Sequence, residues 1–180
     1  MKNPTASARG LPALRSSIIL LLLSGLTMIG AGCSPKEVTA LQRKQGANLV
    51  SEAEFANTLR DYARAEGLYA QAVVLCPDTP DYWLNLGAAR RRLGNRAGAQ
   101  MAYEQVLDLA KAAYRRDGKD PQPLLQQAYV LALLGRIDDA RAVVEKAQKQ
   151  HPDSRELRLF IENRELDRLV NDPVFKQIAL

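Results

Sequence analysis

Apolar residues are distributed along this chain in two different ways. Between Ile18 and Ile29 they run together, interrupted only by Ser24, Gly25 and Thr27. Further on they are dispersed and fall into columns with a long period. Setting Leu59-Arg60, Leu93-Gly94 and Leu134-Gly135 in register brings Ala65, Ala99 and Ala140 together five residues beyond the second member of each pair. Tyr69, Tyr103 and Val144 follow four residues later, then Ala72, Val106 and Ala147. Upstream stand Ala53, Gly87 and Ala128, and the first and third segments close on Pro77 and Pro152. A periodicity of this length is the mark of stacked supersecondary units.

Each column has a physical task. Antiparallel helices approach closely only where the facing side chains are small, which suits Ala65, Ala99 and Ala140 to a helix crossing. Gly94 and Gly135 accept the positive φ that stops a helix. Pro77 and Pro152 lack the N–H that would continue one. A single unit cannot bury its aromatic and aliphatic face, so about three must stack. The spacing is 34 residues between the first two segments and 41 between the second and third. The additional seven are about two helical turns at 3.6 residues per turn. They predict a second helix running on through Ala112, Ala113 and Tyr114 to Asp117-Gly118, projecting beyond the solenoid edge.

These columns resemble the tetratricopeptide repeat, with Trp83-Leu84-Asn85-Leu86-Gly87 as the clearest copy. The first segment departs from the pattern at Arg60, in place of the turn glycine, and at Glu52, in place of leucine. The second has Lys111 in place of the closing proline. The resemblance implies an all-α fold: a short solenoid of about three helix-turn-helix repeats, over residues 46–79, 80–120 and 121–154, with a C-terminal cap over 155–180. In the cap, Asp153-Ser154 begin a helix carrying Leu157, Phe160, Ile161, Leu166 and Leu169. Asp172-Pro173 then start a last short helix with Phe175 and Ile178, expected to cover the third repeat.

The first 32 residues read as an export signal. Lys2, Arg9 and Arg15 precede the apolar run without any acidic residue, and small residues end it. The run falls short of the 20 or so residues that a membrane-spanning helix requires. Gly30-Ala31-Gly32-Cys33 resembles the lipobox of bacterial lipoproteins, with Gly30 where the family prefers leucine. That resemblance implies cleavage before Cys33 and its lipidation, followed by a tether or lead-in helix to residue 45. Ser34 then implies the periplasmic face of the outer membrane. The alternatives are an ordinary signal cut nearby and an uncleaved inner-membrane anchor.

Composition narrows the partners. Without the signal, 22 basic residues face 20 acidic ones, a balance that does not suit a nucleic-acid binder. One histidine, His151, without clustered carboxylates or thiols makes no metal site. No phosphate-cradling glycine loop or nucleophile motif stands out. The chain is therefore read as no enzyme, without cofactor, metal or small-molecule substrate; an enzyme scaffold is the rival class. Cys76 has no partner once Cys33 is lipidated, so stability must come from packing.

In the tetratricopeptide family the first helix of each repeat lines a concave groove. By that register Leu84, Asn85, Ala88, Arg91 and Arg92 face it, joined by Leu125, Gln126 and Tyr129 and flanked by Val50, Glu54 and Asn57. A mixed apolar and basic groove suits an extended or helical protein segment with some acidic character. The resemblance implies an envelope adaptor or assembly factor, with pilus and secretion machinery among the systems that such lipoproteins serve.

Overall fold

The computed structural model describes residues 37–180. Among them are nine helices and no strand: α1 Ala40–Thr58, α2 Tyr62–Leu75, α3 Pro80–Arg92, α4 Arg96–Arg116, α5 Gln122–Leu133, α6 Ile137–Gln150, α7 Arg155–Glu162, α8 Glu165–Asn171 and α9 Pro173–Ile178. The pairs α1–α2, α3–α4 and α5–α6 form helical hairpins, which stack through α2 on α3 and α4 on α5. This is the three-repeat α-solenoid anticipated from the columns. The signal segment and Cys33 lie outside the described residues.

One local device builds all three hairpins. Leu59, Leu93 and Leu134 are the C-caps of the first helices. The next residue turns left-handed, at φ 60° for Arg60, 79° for Gly94 and 72° for Gly135. The residue after that sends its N–H back five positions: Asp61 to the Ala56 carbonyl, Asn95 to Arg90 and Arg136 to Leu131, at 2.8–2.9 Å. Orphan carbonyls at the helix end are thereby satisfied within the turn. Asp61 and Asn95 serve a second purpose, because their side chains accept from the Arg64 and Gly98 N–H groups and so begin α2 and α4. Arg60 adopts the geometry that its sequence does not favour, which identifies the turn as imposed by the hairpin.

The alanine columns lie at the crossings. Ala65, Ala99 and Ala140 are wholly buried, as are Ala53, Ala72, Ala128 and Ala147. At Gly87 the approach is closer still, since a Cβ there would overlap the ring of Tyr103. Tyr103 itself is fully buried and joins the core of the second and third repeats, while Trp83 packs against both this core and that of the first. The Trp83 indole N–H donates to the Pro77 carbonyl at 2.9 Å, fixing the loop between repeats. Cys76 is buried, its thiol donating to the Gln42 carbonyl at 3.5 Å, and burial pushes its pKa up.

Two expectations need correction. The added turns of α4 do not simply project. Tyr114 packs with the cluster of Leu124, Ala147 and Leu157, and its hydroxyl donates to Gln150 Oε1 at 2.9 Å and lies 3.1 Å from His151 Nε2. The extension thus braces the end of α6, with its other side exposed. The cap, likewise, is not one helix followed by a turn or two. Arg164 adopts φ 51° and splits it into α7 and α8. After this turn Leu166 is buried in the core of the second and third repeats and Leu169 packs against it.

Candidate partner-binding groove

The first helices of the repeats carry the residues expected to face the groove. Pro80 at the first position and Asp81 in the first turn start α3, and three arginines end it, each charge placed favourably for the helix dipole. The three point in different directions and find different partners. Arg90 pairs with Glu66 at 2.9 Å and donates to the Gly98 carbonyl. Arg92 donates to Asn57 Oδ1 at 3.2 Å, with its guanidinium 5.3 Å from the centre of the Tyr62 ring. Arg91 Nε donates to the carbonyl of Ala179 at 2.7 Å.

The last contact reveals where the end of the described chain goes. α7 stays beside the third repeat, where Leu157 and Ile161 pack with Leu124 and Leu125. α8 then lies against α5, and α9 against α3 of the second repeat. Phe175 is buried, its ring meeting Tyr129 edge-on at 5.8 Å between centroids. Beyond α9, at Ala179, the backbone is extended. The Tyr103 hydroxyl donates to the Ile178 carbonyl at 2.7 Å, and the Leu180 N–H donates to the Leu133 carbonyl at 2.8 Å. The segment therefore lies on α3 and α5, making contact with the second repeat as well as the third.

Of the groove residues read from sequence, Leu84 and Tyr129 are half-buried in the cluster that includes Phe175, Ile178 and Leu180. Arg91 holds this segment directly. Arg92 is occupied by the first repeat. Asn85, Ala88 and Gln126 are half-buried, and Leu125 belongs instead to the cluster beneath α7. The flanking Val50 is half-buried, Glu54 is exposed and Asn57 is the acceptor for Arg92. The sequence reading missed Tyr103 as a groove residue. It lies on the second helix of its repeat, and only because Gly87 lacks a side chain does its hydroxyl reach the opposite side of α3. Burial pushes the phenol pKa of Tyr103 well up, with Tyr129 adding to the effect, and burial raises Tyr129 too. Both are neutral hydrogen-bonding groups at physiological pH.

What the surface offers is recognition of main-chain carbonyls where a short helix ends. A guanidinium and a phenol present donors to carbonyls, Leu133 offers a carbonyl acceptor, and Leu84 with Tyr129 provides an apolar seat. Among the described residues no cluster of three or more His, Cys, Asp or Glu side chains is placed to hold a metal. No helix among them is long and apolar enough to cross a membrane.

Residues 80–113 and 121–161 each match a model of the tetratricopeptide repeat. The described residues thus form an all-α solenoid of the tetratricopeptide type. Among solved structures, it is similar to the type III secretion translocator chaperone SycD of Yersinia enterocolitica, at 20% identity over 77% of this chain and 96% of that one, with a TM-score of 0.47. The same chaperone in complex with a peptide of the translocator YopD matches at 19% identity over 77% and 97%, TM-score 0.46. The first repeat domain of Spaghetti (RPAP3), bound to an HSP90 peptide, matches at 15% over 72% and 96%, TM-score 0.44. No curated protein matches the chain.

Proposed function

We propose that this protein is a lipid-anchored adaptor of the bacterial cell envelope. Cys33 tethers it to the periplasmic face of the outer membrane, and the groove over α3 and α5 takes a segment of another envelope protein, such as a component of pilus or secretion machinery. The observation that carries the reading is the surface on which Arg91 and Tyr103 donate to main-chain carbonyls and Tyr129 seats an aromatic ring. Main-chain hydrogen bonds supply affinity in such a mode, while neighbouring pockets and charges choose the partner. The anchor rests on the signal layout and on Gly30-Ala31-Gly32-Cys33. A diacylglyceryl group there would supply the two chains that stable anchoring needs.

One experiment tests both halves: fractionation and pull-down from envelope extracts with wild-type protein, Cys33→Ala, and Arg91→Glu with Arg92→Glu, with a thermal melt of each. Cys33→Ala should leave the membrane fraction or stall as precursor. The charge-reversed protein should stay folded and lose its partners. Unchanged fractionation with normal processing overturns the anchor, and unchanged partners in unchanged amounts overturn the groove.

A further inference from the structure

The segment that follows α8 differs in character from the helices it joins. α9 has six residues, too short for a helix to persist without tertiary contacts. Phe175 is the only side chain in it that is fully buried; Val174 is 58% exposed, and Lys176 and Gln177 point to solvent. Its three long-range hydrogen bonds all use main-chain atoms, the carbonyls of Ile178 and Ala179 and the N–H of Leu180. Another segment of the same backbone form can make the same three. By contrast α7 and α8 are secured by side chains, with Leu157 and Leu166 buried and Asp167 paired to Arg141 at 3.4 Å. The junction is Asp172, extended at φ −65° and ψ 130°, where α8 has ended and α9 has not begun. Rotation there would free residues 173–180 while α8 stays in place.

We propose that residues 172–180 are a displaceable intramolecular occupant of the groove, held in place until an external segment of the same pattern takes over. That partner segment carries an aromatic side chain for the Tyr129 seat, an aliphatic one three residues later, and extended backbone beyond it. The inference rests on the groove reading above and adds its regulation and the form of its ligand. The physical reason for exchange is reciprocity. When residues 173–180 leave, the Tyr103 hydroxyl and Arg91 lose their main-chain acceptors and must turn to water. An incoming chain that supplies two carbonyls restores what the departing one removed. A partner therefore competes with a tethered rival, and its apparent affinity falls by the fraction of molecules that are closed.

The test uses the full chain and a fluorescent peptide of residues 172–180. Wild-type protein, whose groove is filled, should bind the peptide at least tenfold more weakly than Phe175→Ala, whose tethered segment is weakened. Adding Arg91→Gln to Phe175→Ala should reduce peptide binding again, and a peptide with alanine in place of its phenylalanine should not bind. Hydrogen exchange on the wild-type protein provides an independent reading. The amides of residues 174–180 should exchange well before those of α3 and α5. Equal peptide binding by wild type and Phe175→Ala, or none by either, overturns the proposal. So does exchange of residues 174–180 only together with α5, which would make the segment a permanent cap. If the peptide binds as expected but charge reversal of Arg91 and Arg92 leaves envelope partners unchanged, the displaceable segment stands and the adaptor function of this groove falls.

Discussion

The two ends of this solenoid face the same problem and meet it differently. At the first repeat the outer side of α1 and α2 stays open: Leu49 and Leu75 are half-buried, Val74 is 78% exposed, and polar Gln45 and Glu52 stand among them. The surface pair of Arg43 with Asp78, at 2.7 Å, ties α1 to the loop after α2, beside the bond from the Cys76 thiol to the Gln42 carbonyl. At the third repeat three more helices follow. α7 covers the open edge, and α8 with α9 turn back across the inner face as far as the second repeat. The first end is made tolerable by substituting polar residues into the repeat pattern, the other by additional chain. Terminal repeats require one or the other, because a stacked unit always leaves one face without a neighbour. Only the second solution places a segment where a partner would bind.

Substitutions at the two ends should therefore differ in scale. Leu157, 1% exposed on the inner face of α7, belongs to a sealed core, and Leu157→Ala should cost about 2–5 kcal/mol by leaving a cavity there. Val74→Ala at the opposite end should remain within about 0.5 kcal/mol. Chemical denaturation of the two variants measures the contrast, and comparable losses would mean that the first end is as well packed as the last.

Tyr103→Phe is the intermediate case, since it removes one hydrogen bond between the returning segment and the second repeat without opening a void. Leaving the Ile178 carbonyl without its donor should cost about 1–3 kcal/mol. The same residue shapes the alkaline limit. Its phenol pKa is raised in the folded state above the ordinary value of 10.0, so its contribution is complete below that value and is lost as pH rises beyond it. Tyr69, Tyr82 and Tyr129 are raised in the same direction, each chiefly by burial. Wild-type stability should therefore fall above about pH 10, and less steeply in Tyr103→Phe. Parallel pH profiles for the two proteins would contradict that role.

The smallest effect belongs to Arg43→Ala. This pair is half-exposed and screened by salt. The Asp78 carboxyl is held below its usual range by the Arg43 hydrogen bond, so what the pair contributes is present at neutral pH and lost on acidification. Melting curves of Arg43→Ala and wild type should nearly coincide at neutral pH and converge fully in acid and at high salt. A large difference would make this pair, and not the polar substitutions, what holds the first end.

Much of this was legible from residue order because the signals are local and repeated. The turn columns at residues 59–61, 93–95 and 134–136 each close their own hairpin with hydrogen bonds spanning six residues. Three copies in register reinforce a pattern that one copy would leave ambiguous. The alanines at 65, 99 and 140 were recognisable for the same reason. The groove register was readable only in part. Leu84, Arg91 and Tyr129 meet on one surface, whereas Leu125 belongs beneath α7 and Arg92 is held by the first repeat.

What residue order determined, then, was the repeat, its helix stops and its crossings, since each is encoded within a few turns and stated three times. What only the tertiary structure decided was the path of residues 163–180. That stretch has no sister copy to compare with, and it turns at Arg164, whose type gives no warning of a left-handed conformation. Its destination is set by contacts between Tyr103 and Ile178, and between Arg91 and Ala179, that are 75 and 88 residues apart in the chain. Those contacts use main-chain carbonyls, which every residue possesses and no sequence pattern distinguishes.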